Sequence, residues 1–103
     1  EIVGKVQKQA IQRSAKQIDD HIAVQFNICG EGEGAFYVEI SSGHFMVQPF
    51  EYYDRDAVVY VDAETLLDTL AGKVAVADVT SNGKLVIQGN YDATVKLLET
   101  LAA

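Results

Sequence analysis

Few of the residues that build catalytic centres, metal sites and membrane spans occur in this sequence. Its 103 residues include one cysteine, two histidines, one methionine, one proline and no tryptophan. The lone Cys29 excludes an internal disulfide framework and fits a reducing compartment. His21 and His44 stand apart, and neither H-x-x-x-H nor C-x-x-C spacing occurs, so no metal and no cofactor are expected. No stretch approaches ~20 consecutive apolar residues, which excludes a membrane-spanning helix. The start lacks a charged-then-apolar leader, and a cytoplasmic location is the resulting expectation. Because the chain opens at Glu1 rather than methionine, an upstream segment is allowed for. Basic charge is scarce as well. Lys5, Lys8, Arg13 and Lys16 give residues 2–18 a charge of +4 with no acid, while residues 19–103 carry −10 within a net charge of −7. A body so acidic repels a phosphate backbone, and nucleic acid is not expected as a partner.

What is present suits one domain over residues 1–103, with 49% apolar and 22% charged residues. Such a composition is that of an ordinary globular fold. Residues 1–20 are rich in Lys, Gln, Ala and Arg, which are good helix formers. Val3, Val6 and Ala10 recur there at helical spacing, with Ile11, Ala15 and Ile18 as a second stripe, so one N-terminal helix is predicted. From residue 22 the period falls to 2. Val24, Phe26 and Ile28 alternate with Gln25, Asn27 and Cys29; Phe36, Val38 and Ile40 alternate with Tyr37, Glu39 and Ser41. Phe45 and Val47 then alternate with His44, Met46 and Gln48, and Pro49 ends that strand. Gly30-Glu31-Gly32-Glu33-Gly34 and Ser42-Gly43 read as the turns between them. Residues 57–61 form a more buried β-branched run, completing a strand meander over residues 22–61.

A helix follows over residues 62–72, with Asp62 as N-cap, Leu66, Leu67 and Leu70 inward, and Gly72 as the stop. Residues 74–78 suit a short helical turn. Asn82-Gly83 is a turn ahead of a strand over residues 84–89. A C-terminal helix over residues 90–102 has Asn90 as N-cap and Tyr91, Val95, Leu97, Leu98 and Leu101 at helical spacing. The sum is an α+β fold, a mainly antiparallel five-stranded sheet with helices packed over one face.

Candidate chemistry is thin. The glycine-rich run at residues 30–34 lacks the spacing and the lysine of a phosphate loop, and its two glutamates oppose an anion. Cys29 and His44 form the one conceivable nucleophile pair, with nothing nearby to depress the thiol pKa. Glu51, Asp54, Asp56 and Asp62 are the densest carboxylates, set beside Phe50, Tyr52, Tyr53 and Arg55. Their spacing does not fit a calcium loop, and a solvated loop pinned by aromatics is the plainer reading. The basic first helix fits transient contact with anionic lipid but no stable membrane insertion.

Gly83-Lys84-Leu85-Val86-Ile87-Gln88-Gly89-Asn90, followed by a leucine-rich helix, resembles the end of sterol carrier protein type 2 (sterol-binding) domains, as in small standalone bacterial members. Residues 57–61 with Asp62, the helix after it and Gly72-Lys73 resemble the middle of that family. Phe36-Tyr37-Val38-Glu39-Ile40 with Gly43 resembles its F-x-V-x-I hairpin, which ends in an Asp-Gly turn. Residues 74–81 depart from the pattern, with alanines and valines in place of proline and large apolar residues, whereas Asn90 in place of aspartate keeps the N-cap. The resemblance implies the same α+β fold and a non-enzymatic carrier of a sterol, fatty acid or other acyl-chain ligand in an apolar tunnel. The implied lining is the inward set Phe26, Ile28, Phe36, Val38, Phe45, Val47, Val59, Leu66, Leu70, Leu97, Leu98 and Leu101. An empty tunnel of ~400 Å³ would cost ~10 kcal/mol at about 24 cal/mol per Å³. That is comparable with the whole stability of a small domain, about 5–15 kcal/mol. The tunnel is therefore expected to hold a ligand, to collapse when empty, or to be shared with a partner subunit. The alternative function is a protein–protein interaction or dimerisation domain with a collapsed pocket, acting as a homodimer.

Overall fold

Alternation of period 2 gives the strands within residues 22–48 one apolar face each, and that face decides where everything else packs. The computed structural model describes residues 2–13, 21–30, 34–50 and 54–102. Helix α1 (Ile2–Ile11) is followed by strands β1 (Ile22–Cys29), β2 (Gly34–Ser41), β3 (His44–Gln48) and β4 (Ala57–Asp62). Helices α2 (Ala63–Leu70) and α3 (Val76–Ser81), strand β5 (Leu85–Gly89) and helix α4 (Tyr91–Leu101) complete the order. The five strands form one sheet in the order β3-β2-β1-β4-β5.

The sheet is mixed. β1–β2, β2–β3 and β4–β5 pair antiparallel, whereas β1 and β4 run parallel. The meander expected over residues 22–61 therefore ends at β3, and β4 returns to the far side of β1. Burial explains the placement. Ala57, Val58, Val59 and Val61 are all buried, so β4 is apolar on both faces and unsuited to an edge. β3, with exposed His44 and Met46 and Pro49 just beyond it, takes the edge instead. Gln25 is a second departure from simple alternation. It lies on the face expected to meet water, yet is 3% exposed, with its Nε2 donating to Asn27 Oδ1 at 2.8 Å. Tyr37 and Val58 flank it in register on the two neighbouring strands.

On the inner face Phe36 stands opposite Phe26, their rings stacked with centroids 5.2 Å apart, and Phe26 neighbours Val59 across the parallel ladder. Leu66 and Leu70 from α2, Val76 and Val79 from α3, and Leu97, Leu98 and Leu101 from α4 close over it. Val6 and Ala10 of α1 complete the same core, as their spacing predicts. The predicted helix over residues 1–20 is shorter in its described part. The Gln12 and Arg13 N–H groups donate three residues back, to Gln9 and Ala10, tightening the end of α1. Ile11 is 83% exposed rather than starting a second apolar stripe, and residues 14–20, with Ala15 and Ile18, lie outside the described residues.

The helix ends follow their local sequence. Asp62 caps α2 by accepting from the Thr65 N–H at 3.0 Å. At its other end Gly72 adopts φ +79, while the Gly72 and Lys73 N–H groups reach Thr69 O and Asp68 O, a Schellman closure. Asn90 caps α4 by accepting from the Ala93 N–H. Just before it, Gly89 adopts φ +112, and a Cβ there would sit 2.6 Å from Asp56 O. Asp56 is the reason for the tight approach. Its N–H donates to Ala23 O, its carboxylate accepts from the Ala23 N–H, and its C=O accepts from the Asn90 N–H. One residue thus joins the starts of β1, β4 and α4.

Two outcomes follow from these ends. Gly89→Ala forces a methyl onto Asp56 in a left-handed backbone, and urea unfolding should show a loss of roughly 2–3 kcal/mol. The Thr65 hydroxyl and N–H hold the Asp62 pKa below its ordinary value near 3.8. A depressed carboxylate stabilises fully above that value and loses its contribution as pH falls through the folded-state pKa. Asp62→Ala should therefore lower the unfolding midpoint at neutral pH and converge with the parent protein in strong acid.

Candidate functional site

The strands and helices bring the twelve expected lining residues to one place. Phe26 and Ile28 come from β1, Phe36 and Val38 from β2, Phe45 and Val47 from β3, and Val59 from β4. Leu66 and Leu70 of α2 and Leu97, Leu98 and Leu101 of α4 face them across the sheet. Eleven are buried in one contiguous apolar cluster, and Phe45 packs against it half-buried. Apolar side chains surround them, which suits an apolar ligand.

Two open clefts lie at the rim of this core. One, of about 290 Å³, runs between α1 and β3 and is lined by Gln7, Ala10, Ile11, Phe45, Met46, Val47 and Gln48. Its volume sits near the lower end of ligand-sized pockets, roughly 300–1,000 Å³. Of the expected lining, Phe45 and Val47 reach it. The other cleft, of about 320 Å³, lies where α2 and α4 end and α3 begins, beside Thr69, Gly72, Val74, Ala75, Val76, Glu99 and Ala102. None of the twelve lines it.

From the first cleft to the ends of α2 and α4, α1 and the residues just after it are held by polar bonds that helical periodicity does not reveal. Gln7 Nε2 donates to Val47 O at 2.9 Å. Gln9 Nε2 donates to both Leu70 O at 2.6 Å and Leu101 O at 2.8 Å. Arg13 Nε donates to Ala102 O at 3.3 Å. The amide-rich composition of this helix was the only local signal of these contacts. Lys5 and Lys8 are exposed on the same helix.

The remaining candidates do not converge. Cys29 ends β1, whereas the register sets His44 level with the beginning of that strand. Eight residues of extended chain, roughly 26 Å, separate the two along the strands. Asp56 and Asp62 flank β4, roughly 20 Å apart along the strand, and each carboxylate is engaged in backbone contacts. Asp54 is exposed. Glu51, Tyr52 and Tyr53 lie outside the described residues, as do Glu31, Gly32 and Glu33 of the glycine-rich turn. His21 Nε2 is hydrogen-bonded to Glu39 Oε2. Among the described residues no group of three or more His, Cys, Asp and Glu is placed to hold a metal ion.

Residues 5–102 match the family model of the SCP-2 sterol transfer family, and the chain belongs to that family. No curated protein sequence matches it. Among solved structures it is similar to sterol carrier protein 2 like 2 from Aedes aegypti, with TM-score 0.73 and 21% identity over 95% of this chain and 91% of that one. The palmitated solution structure of the same mosquito protein gives TM-score 0.71 and 20% identity, covering 99% and 92% of the two chains. The stereoselective inverting sec-alkylsulfatase Pisa1 from Pseudomonas sp. gives TM-score 0.79 and 13% identity over 92% of this chain. The matched region is 15% of that much longer enzyme. The fold thus occurs both in chains of about this length and as a small part of a larger one.

The stacked aromatic pair gives a direct check on the core. Phe26→Ala removes one ring from the centre of the inner face, and chemical denaturation should show a loss of about 3–5 kcal/mol.

Proposed function

We propose that the chain is a cytoplasmic, non-enzymatic carrier that takes a sterol, fatty acid or other acyl-chain ligand between its sheet and helices. The observation that carries this reading is the contiguous apolar cluster built by the twelve inward residues, in a chain of the sterol transfer family. These residues are the proposed ligand-binding set. Phe45 and Val47, shared between that cluster and the α1–β3 cleft, mark the proposed way in. An empty tunnel is costly, so the side chains of this cluster part only as a ligand enters. A ligand then supplies the apolar contacts that the parted side chains give up.

Transient contact with an anionic lipid surface fits the same end of the molecule. Lys5 and Lys8 are exposed there, and Ile11 and Met46 beside the cleft are exposed apolar residues. Among the described residues no helix is long and apolar enough to cross a membrane. The second reading, an interaction or homodimerisation domain with a collapsed pocket, draws on the two outer strands. β3 and β5 each have a neighbour on one side only, with Met46 and Val86 exposed on them.

Native mass spectrometry of freshly purified protein, with solvent extraction, separates the two. Extra mass that extracts as lipid is the expected result. Palmitate at about a hundredfold over its Kd should add roughly 2.7 kcal/mol of stability. An unliganded dimer indifferent to lipid would favour the second reading, and an unliganded monomer with no thermal shift across a fatty-acid and sterol panel would overturn the carrier.

A further inference from the structure

Helix α1 is fastened in an unusual way. Its apolar anchoring rests on Val6 and Ala10, which are buried, with Ile2 and Val3 packed part-buried against the core. Polar bonds add to it, and every one described here runs from a side-chain donor to a backbone carbonyl of another element. Gln9 is central among them. Its single amide nitrogen donates to Leu70 O at the end of α2 and to Leu101 O at the end of α4. Carbonyls of a last helical turn have no partner inside their own helix. Neither helix carries a basic residue in its last turn to serve them. One side chain of α1 therefore closes two helix ends at once, while Ala10, one residue on, covers the core beside the cleft.

We propose that α1 is a lid over the apolar interior and that Gln9 is its latch. On the carrier reading above, the two Gln9 bonds set how often α1 lifts to admit an acyl chain between α1 and β3. Gln9 itself is half-buried, and bonds between neutral groups carry a modest net stabilisation when water can take their place, so breaking them costs little. Lifting α1 uncovers Val6, Ala10, Phe45 and Val47 while leaving every sheet ladder intact. It is a local opening, well short of unfolding. Gln9 is accordingly a positioning residue, with no contact to the ligand required of it.

Gln9→Met keeps side-chain length and helix preference but removes both donors. Gln9→Arg restores donors toward the same two helix ends. Stopped-flow uptake of a fluorescent sixteen-carbon fatty acid and amide hydrogen exchange are measured on the parent and both variants. Uptake by Gln9→Met should be of the order of tenfold faster, given two lost hydrogen bonds of ordinary strength. The α1 amides should exchange faster while those of β1 and β2 do not change, and Gln9→Arg should return both readouts toward the parent. Uptake by Gln9→Met at the parental rate, or faster exchange in α1 and sheet together, overturns the latch. No uptake by the parent protein overturns the carrier reading instead, and the two failures are distinct.

Discussion

A sheet with one continuous apolar face cannot stand in water uncovered, and the rest of this structure answers that constraint. Phe26, Phe36, Val38 and Val59 lie near the middle of the face, where each strand is flanked by others. Leu97 and Leu98 of α4 are fully buried against them, and α1, α2 and α3 cover what α4 leaves. Helix ends are fixed accordingly: Asp62 and Asn90 start α2 and α4 where β4 and β5 stop, so each helix leaves its strand directly over the core. Asp56 then ties the starts of β1, β4 and α4 into one junction. Of the four acids densest in the sequence, Asp56 and Asp62 serve this architecture.

Local features were legible from the chain alone, because their causes lie within a few residues. Strand alternation, the caps at Asp62 and Asn90, the left-handed Gly72 and the inward leucines of α2 and α4 all belong to this class. The family resemblance rests on the same kind of signal, since Gly83 to Asn90 spells out a turn, a strand and a cap in sequence. Partners distant in sequence were not legible. Whether residues 57–61 extend the meander or return beside β1 depends on pairing with residues 33 positions away. Gln9 meets carbonyls 61 and 92 positions away, and no periodicity in α1 signals either. Gln25 looked like a surface residue because alternation reports which face a side chain takes, not how central its strand is.

A carrier and a plain core demand the same residue types, which is why the twelve inward residues were nameable while their use was not. The distinction lies at the rim, where small residues and exchangeable polar bonds replace large interlocking side chains. Around α1 that change is clear: no leucine or aromatic ring anchors the helix, and its amides bond to carbonyls of other elements near a cleft that Phe45 and Val47 share with the interior. Elsewhere the helices meet the sheet through leucines and valines with little room to yield.

The parallel ladder between β1 and β4 divides the molecule along its sequence. Residues 22–48 supply β1, β2 and β3, and residues 57–101 supply β4, β5 and the three later helices. Strands β1, β2 and β3 pair across short turns and β5 returns to β4 from 24–32 positions away, but the seam between halves joins positions 33 apart, the longest separation in the sheet, and closes late if local contacts form first. Until it closes, β1 and β4 each present an unpaired edge beside exposed valine and phenylalanine, the combination most prone to pairing with the wrong chain. The lone parallel pairing is therefore the point at which folding of this protein is most exposed to aggregation, and Asp56, bonded across it from the first residue of the seam, is placed to shorten that interval.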